Sequence, residues 1–208
     1  GGNLAAPSPN AATDETETWN GTSWTEVNDL NQARVFLTGA GTNTAAIAKG
    51  GATGAGGKPP QTGEAETWNG TNWTEVGDLN TARNSFASGG TTTSAVAFGG
   101  SGPTADTEVW NGTSWTEVNN MNTARLGMGG AGSSSTAALT FGGPSSSALV
   151  ELWNGTNWAE QNDLNTGRAY SGSSKGSSTS ALCMGGGPST ASEEWTSPTE
   201  ASETITTS

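Results

Sequence analysis

The sequence contains no histidine, one cysteine and only seven basic residues, against 19 acidic ones. Without histidine, the chain cannot form a histidine-based catalytic triad or a histidine-ligated metal site. Its single cysteine, Cys183, cannot form a disulfide bond within the chain. The net charge of −12 repels phosphate backbones, so we expect no nucleic-acid binding.

Long apolar runs are also missing, because no stretch approaches the roughly 18 residues of a membrane span. We therefore expect no membrane insertion. The chain begins at Gly1 rather than at Met and shows no signal-peptide pattern, which predicts a processed product or a fragment.

Hydrophobic residues make up only 31% of the chain, and 32 residues are glycine. Composition alone would favour disorder. Nine tryptophans argue against it, since a disordered chain has no use for so many large apolar rings. We expect a folded protein with a thin core to which Trp contributes much of the buried area.

A repeated phrase organises the chain. Its anchor is a Trp that recurs at intervals of 42 to 49 residues, a period typical of propeller blades. A Gly-Gly pair and then a Glu precede the anchor, and a second Trp and then an Arg follow it. The recurring residues are Trp19, Trp68, Trp110, Trp153 and Trp195; Glu17, Glu66, Glu108, Glu151 and Glu193; Trp24, Trp73, Trp115 and Trp158; and Arg34, Arg83, Arg125 and Arg168.

Each phrase reads as a β-hairpin. An Asn-Gly pair flanked by strand-forming residues predicts a two-residue type I′ turn. In the first copy, with Asn20-Gly21 as the turn, Trp19 pairs with Thr22 and Glu17 pairs with Trp24. The alternation of side chains then places both Trp rings on one face, diagonally adjacent.

The segment between each Arg and the next Gly-Gly pair predicts two further strands, rich in small residues. In SAVAFGG (94–100), Val96 and Phe98 share one face of the strand. Small residues suit inner strands near a propeller axis, where blades converge, and the Trp hairpin suits the wide outer end. Cys183 falls at the repeat position of Ala48 and Ala97, so we expect it to be a small buried residue without thiolate chemistry.

The predicted fold is therefore an all-β propeller of four-stranded blades, about five of them visible and the first incomplete. It forms a single domain over residues 1–208. Its repeats run over residues 1–30, 31–79, 80–121, 122–164 and 165–208.

These residues resemble the kelch repeat. MNTAR (121–125) is similar to the Met-Pro-x-x-Arg opening of that repeat, TFGG (140–143) to its double-glycine strand end, and ELWNGTNWAE (151–160) to its Glu-x-Tyr … Trp strand pair. The repeats are shorter than usual and poor in inner-strand aromatics. The copper site of galactose oxidase, a kelch-fold enzyme, does not carry over, because its histidine ligands are missing. The near-identical copies and the closing EEWTSPTEASETITTS also resemble repeat proteins of environmental phage tails or fibres.

Closure of the ring leaves two hypotheses open. Five Trp hairpins accompany only four Arg-to-Gly-Gly strand pairs, because the first hairpin lacks an inner half. Further repeats upstream would supply it, or residues 1–14 and the segment around Ile205 would complete a five-bladed ring.

No residue qualifies as catalytic, cofactor-binding or metal-ligating. The Glu and Arg residues recur once per blade, whereas an active site is normally asymmetric, so we expect them to pair with each other or with backbone amides. Asp29, Asp78 and Asp163 could seed calcium sites, but the third copy has Asn120, and turn formation explains all of these positions.

Two surface features are candidates for modification or binding. Asn20, Asn69, Asn111 and Asn154 begin Asn-Gly-Thr sequons; we expect them bare in a bacterial or phage protein and glycosylated in a secreted eukaryotic one. The long connector near Lys49, with Lys58, Pro59 and Pro60, is a candidate partner-binding loop.

The sequence thus predicts a non-enzymatic, structural or adhesive component of an extracellular assembly, most simply a phage tail fibre or virion appendage. Its expected partners are other subunits, a homo-oligomer among them, or cell-surface glycans; no cofactor is expected. The alternatives are a carbohydrate-binding propeller with exposed Trp faces or a secreted glycosylated fibre. A polysaccharide depolymerase that uses paired carboxylates is a third hypothesis.

Overall fold

The structure, a computed structural model, describes residues 3–4, 11–54, 60–170, 172–173, 176–187 and 190–197. In these ranges the chain forms 19 strands and one short 3₁₀ turn at Pro144–Ser146. The strands build separate antiparallel sheets that follow one another along the chain. The predicted all-β architecture of propeller blades is confirmed.

The second, third and fourth blades are complete four-stranded sheets, with their strands side by side in chain order. Each lies within one of the predicted repeats. Their strands are β5 (Thr38–Thr42), β6 (Ala45–Lys49), β7 (Ala65–Trp68) and β8 (Trp73–Val76); β9 (Ala87–Gly90), β10 (Ala95–Phe98), β11 (Thr107–Trp110) and β12 (Trp115–Val118); and β13 (Gly129–Ser134), β14 (Ala137–Phe141), β15 (Val150–Trp153) and β16 (Trp158–Glu160).

The first and fifth blades are partial in the described part of the chain. The first blade is the outer hairpin alone, β3 (Thr16–Trp19) with β4 (Trp24–Val27). Before it, β1 (Asn3–Leu4) pairs with β2 (Ala11–Ala12) as a separate two-stranded sheet. The fifth blade contains β17 (Gly172–Ser173), β18 (Ser180–Met184) and β19 (Ser192–Thr196).

Small residues on the innermost strands allow neighbouring blades to approach closely, as predicted. A Cβ atom added to Gly89 would lie 2.8 Å from the Cα atom of Gly132 in the next blade. This distance is shorter than real Cβ contacts, so a larger residue at this position would push the two blades apart. The innermost segments of the second to fifth blades line a common cavity of about 510 Å³. Its lining includes residues 38–42, 88–91, 130–133 and 176–177.

The core lies between blades, and the second strands of the third and fourth blades each contribute side chains to two interfaces. On β10, Val96 and Phe98 pack with Trp153 and Trp158 of the fourth blade. Ala95 and Ala97, on its other face, pack with Ile47 and Trp110. Cys183 is buried among Leu139 and Phe141, which confirms its prediction as a small core residue.

Candidate functional site

Each Trp hairpin turns through four residues rather than the predicted two. The amide of Asn20 donates to the carbonyl of Ser23 at 3.2 Å. The Asn20 Oδ1 atom accepts hydrogen bonds from the amides of Thr22 and Ser23, both at 2.9 Å. Gly21 has a φ of 99°, whereas Asn20 is not among the residues with positive φ, so the type I′ turn does not form. The Asn side chain, which stabilises its own turn, determines this longer loop.

The longer turn shifts the predicted register by two residues. Trp19 pairs directly with Trp24, and Glu17 pairs with Glu26. Because the shift is even, both Trp rings remain on one face, as predicted, but they lie opposite each other rather than diagonally. Their centroids are 5.5 Å apart.

All four sequon asparagines lie in these turns and are exposed. In each, Oδ1 accepts backbone hydrogen bonds from the two residues that close the loop; the residues are Asn20, Asn69, Asn111 and Asn154. The turn therefore explains the repeated Asn, and glycosylation stays a prediction.

The repeated Arg and Glu side chains form ion pairs inside the second to fifth blades. The Arg at the start of each blade reaches the Glu of its third strand. The pairs are Arg34–Glu66, Arg83–Glu108, Arg125–Glu151 and Arg168–Glu193, and the N···O distance is 2.7 Å in the first and third. The prediction that the repeated Arg and Glu side chains pair with each other is confirmed for these four pairs, but not for Glu17, which forms no ion pair among the described residues.

The first three pairs are buried, Glu193 of the fourth is partly exposed, and all four Arg side chains make further hydrogen bonds. In the second blade, Nη1 of Arg34 donates to the carbonyl of Glu64 at 2.6 Å and to that of Gly50 at 3.3 Å. Burial lowers the pKa of the Arg34 guanidinium, and the Glu66 carboxylate opposes that effect. Extra donors and acceptors of this kind are what a buried ion pair needs to offset its desolvation.

An asparagine three residues before each Arg completes the arrangement. The Asn80 amide and Nδ2 donate to Oε2 of Glu108 at 2.7 and 2.8 Å, and Nδ2 also donates to the carbonyl of Trp115 at 3.1 Å. Asn31, Asn122 and Asn165 hold their Glu partners in the same way. Sequence reasoning missed this residue, although its fixed spacing before Arg was a usable signal.

The pKa of Glu193, in the last pair, shows the effect of these hydrogen-bond donors. Burial alone would raise the pKa of Glu193. The amides of Asn165 and Thr166, together with the Arg168 guanidinium, outweigh burial and hold the pKa of Glu193 below its usual value. The carboxylate is therefore kept ionised, which suits a structural ion pair.

The Trp side chains connect the hairpins to their surroundings. The first Trp donates through Nε1 to the turn between the two inner strands of its own blade, as Trp110 does to the Thr92 carbonyl at 2.9 Å. The second Trp packs against the preceding blade, where Nε1 of Trp158 donates to Thr107 Oγ1 at 3.0 Å. The indole of Trp115 lacks such a partner among the described residues.

The first blade differs from all of these. Trp19 is 44% exposed and Trp24 is 63% exposed. Glu17 is exposed and has no ion pair or hydrogen bond to its carboxylate in the described ranges, and the N–H group of the Trp19 indole has no hydrogen-bond acceptor there. The edge of β3 that faces away from β4 carries no described strand. We call this edge, with Glu17, Trp19 and Trp24, the acceptor face.

Lys49 is an unusual core residue. It is fully buried at the repeat position of Phe98. Its Nζ lies 5.9 Å from the ring centroid of Trp115, in the place where Phe98 contacts Trp158 with ring centroids 4.9 Å apart. No described group hydrogen-bonds to Nζ, and burial lowers the pKa of Lys49 to about 7.

This position corrects the assignment of Lys49 to a partner-binding loop. Its ammonium group points into the core between two blades and cannot meet a partner at the surface. Lys58 and Pro59 lie outside the described residues. Pro60 is exposed, and its carbonyl accepts a hydrogen bond from the Thr53 amide at 3.1 Å. A docking role for this connector stays a prediction.

The cavities offer little acid–base chemistry. The 510 Å³ cavity is lined by glycine, alanine, serine and threonine, with no titratable side chain in its described wall. A cavity of about 290 Å³ between the fourth and fifth blades has Asp163, Glu193 and Glu194 in its wall, but Glu193 is bound to Arg168. Within the described ranges, no group of three or more Cys, Asp or Glu side chains is placed to hold a metal ion.

No protein-family model matches the chain, and no curated protein matches it either. The residues that the structure describes include no helix of the length and apolarity needed to cross a membrane. Function therefore has to be inferred from the geometry of the blades.

Proposed function

We propose that the chain is a non-enzymatic structural component of an extracellular assembly, a phage tail fibre or another virion appendage, with kelch-like blades. The observation that carries this proposal is the repetition of one charged arrangement, Asn and Arg on Glu, in four successive blades. Every Arg of the chain is engaged in holding its own blade together.

The burial of the Trp side chains supports the same proposal. Trp68, Trp110, Trp115, Trp153 and Trp158 are each at most 6% exposed. Rings in such positions form the core between blades and have no free face for a sugar. A scaffold uses its aromatic residues in this way, whereas a binding module of repeated sugar sites would expose one face per blade.

The test is fractionation of the native source. Particles would be separated from soluble protein by sedimentation, and each fraction would be searched by mass spectrometry for the tryptic peptide 84–125. We expect this peptide in the particle fraction and the purified chain in an oligomer. A chain that is monomeric and found only with soluble cell protein would contradict the proposal.

The exposed Trp pair of the first blade favours one alternative, a carbohydrate-binding module. Trp19 and Trp24 border an open cleft of about 260 Å³ with Glu17, Thr42 and Asn43. Exposed indoles beside hydrogen-bonding groups are suited to stacking on sugar rings. A glycan array compared between the wild-type protein and Trp24→Ala tests this alternative, which requires a signal that the variant loses.

A further inference from the structure

The inner half of a blade makes three kinds of contact with its outer hairpin. In the third blade, β10 pairs with the inner edge of β11. Arg83 and Asn80 bind the Glu108 carboxylate. The turn between the inner strands supplies the Thr92 carbonyl to the indole of Trp110. The second and fourth blades repeat all three contacts.

The acceptor face of the first blade presents the same three groups, and no described residue makes the corresponding contacts with them. Its strand edge carries no described strand, and in those ranges neither the Glu17 carboxylate nor the N–H group of the Trp19 indole has a hydrogen-bond partner. The chain has no arginine to spare, because each of its four is already paired. Residues 1–15 contain neither Arg nor Lys, so these residues cannot supply the cation.

We propose that the acceptor face binds a polypeptide segment of the same form as the chain's own inner halves, contributed by another subunit. That segment would carry Asn-x-x-Arg, then two strands of small residues joined by a tight turn and ended by Gly-Gly. This inference rests on the proposed function, since it names the kind of contact by which the subunit joins its assembly.

The chemistry of the partner follows from the complete blades. In the partner segment, the second inner strand pairs with the first and also adds main-chain hydrogen bonds to the β3 edge. This mode of recognition is known as β-strand addition. The Arg of this segment meets the Glu17 carboxylate, which has no partner among the described residues, in a protein whose net charge is −12. Its inner turn covers Trp19, which protein–protein interfaces favour as an anchor.

The experiment uses the 208-residue protein and a synthetic peptide with the sequence of residues 80–100. This peptide contains Asn80, Arg83, both inner strands of the third blade and Gly99-Gly100, and it contains no Trp. The intrinsic Trp fluorescence therefore reports only on the protein. We expect saturable binding with reduced acrylamide quenching, and protection of Trp19 and Trp24 from oxidation in the tryptic peptide 1–34.

Two charge variants test the predicted ion pair. We expect Glu17→Gln in the protein, or Arg83→Gln in the peptide, to weaken binding roughly tenfold or more, and the two together to weaken it little further. Glu26→Gln is the matched control, because Glu26 is exposed and pairs with Glu17 across the hairpin. It should leave binding unchanged.

Absence of saturable binding, or equal binding by all variants, would overturn the proposal. Protection of Trp19 and Trp24 by a soluble glycan and not by the peptide would also overturn it, in favour of a sugar site. Neither result depends on particle association, so failure of the acceptor face and failure of the structural role can be told apart.

Discussion

The first and third hairpins have the same nine residues, WNGTSWTEV, at 19–27 and 110–118. Trp24 is nevertheless 63% exposed, whereas Trp115 is 6% exposed. The carboxylate before each hairpin differs in the same way, because Glu17 is exposed and Glu108 is fully buried against Arg83. Identical local sequence therefore produces identical hairpins in opposite environments.

The comparison shows that a blade's outer hairpin is a self-contained local structure, while its burial is decided by its neighbours. The turn is held by its own Asn side chain in both copies, at 2.9 Å. In the third blade, the inner strands and the preceding blade bury the two Trp rings. In the first blade, both Trp rings are left exposed. Energetic contributions of the same residue should therefore differ between the two blades.

The largest expected effect comes from removing the carboxylate charge. Glu108→Gln leaves the buried Arg83 without its counter-ion, so the free energy of unfolding should fall by about 3–5 kcal/mol. Glu17→Gln removes a side chain without a described partner and should change it by less than about 0.5 kcal/mol. Urea denaturation of both variants beside the wild-type protein measures the difference, and equal effects would break the comparison.

Lys49 provides a second, pH-dependent effect at the third hairpin, because it lies over Trp115. The pKa of Lys49 is about 7 when folded, below the 10.5 of an unperturbed lysine. The unfolded state then holds a proton that the folded state has lost. Stability should rise between pH 7 and about 10, by up to about 1.4 kcal/mol per pH unit.

Lys49→Met is the matched variant, because Met184 occupies the equivalent position in the fifth blade. It should remove the rise, and subtracting its curve from that of the wild-type protein isolates the contribution of Lys49. Parallel stability curves for the two proteins would show that Lys49 stays charged in the core.

A smaller effect is expected at Ala65. Trp158 donates to Thr107, but the equivalent position for Trp115 is Ala65, and the Trp115 indole has no hydrogen-bond partner among the described residues. Ala65→Thr should raise the free energy of unfolding by about 1 kcal/mol by supplying a hydroxyl. Ala65→Val is the control of the same shape, and an equal gain from it would assign the effect to packing instead.

Much of the architecture could be predicted from sequence because its signals recur in every repeat. The recurring Trp anchors predict where each blade lies in the chain. The alternation in SAVAFGG predicts that Val96 and Phe98 share one face, as observed. The once-per-blade occurrence of Glu and Arg indicated their pairing. The two-residue turn was wrong because an Asn side chain that bonds its own backbone competes with the Asn-Gly type I′ preference.

The remaining differences depend on tertiary contacts. From sequence alone, Lys49 is predicted to be a cation in a loop beside a long connector. Only its position over Trp115 shows that it replaces a core Phe. The exposure of Trp19 and Trp24 could not be predicted from their own residues, since both Trp rings of the same nine-residue sequence are buried in the third blade. The sequence did indicate that residues 1–30 contain no Arg-to-Gly-Gly strand pair before the first hairpin, but not which groups of that hairpin are exposed.

Residue-resolved oxidation of tryptophan by hydroxyl radicals tests the central comparison most directly. Trypsin releases the two identical hairpins in different peptides, 1–34 and 84–125, so mass spectrometry can follow each Trp pair in one experiment. We predict that Trp19 and Trp24 oxidise several times faster than Trp110 and Trp115 in the folded protein, and at the same rate in urea. Equal rates in the folded protein would mean that the first blade is covered like the third, and would contradict the account.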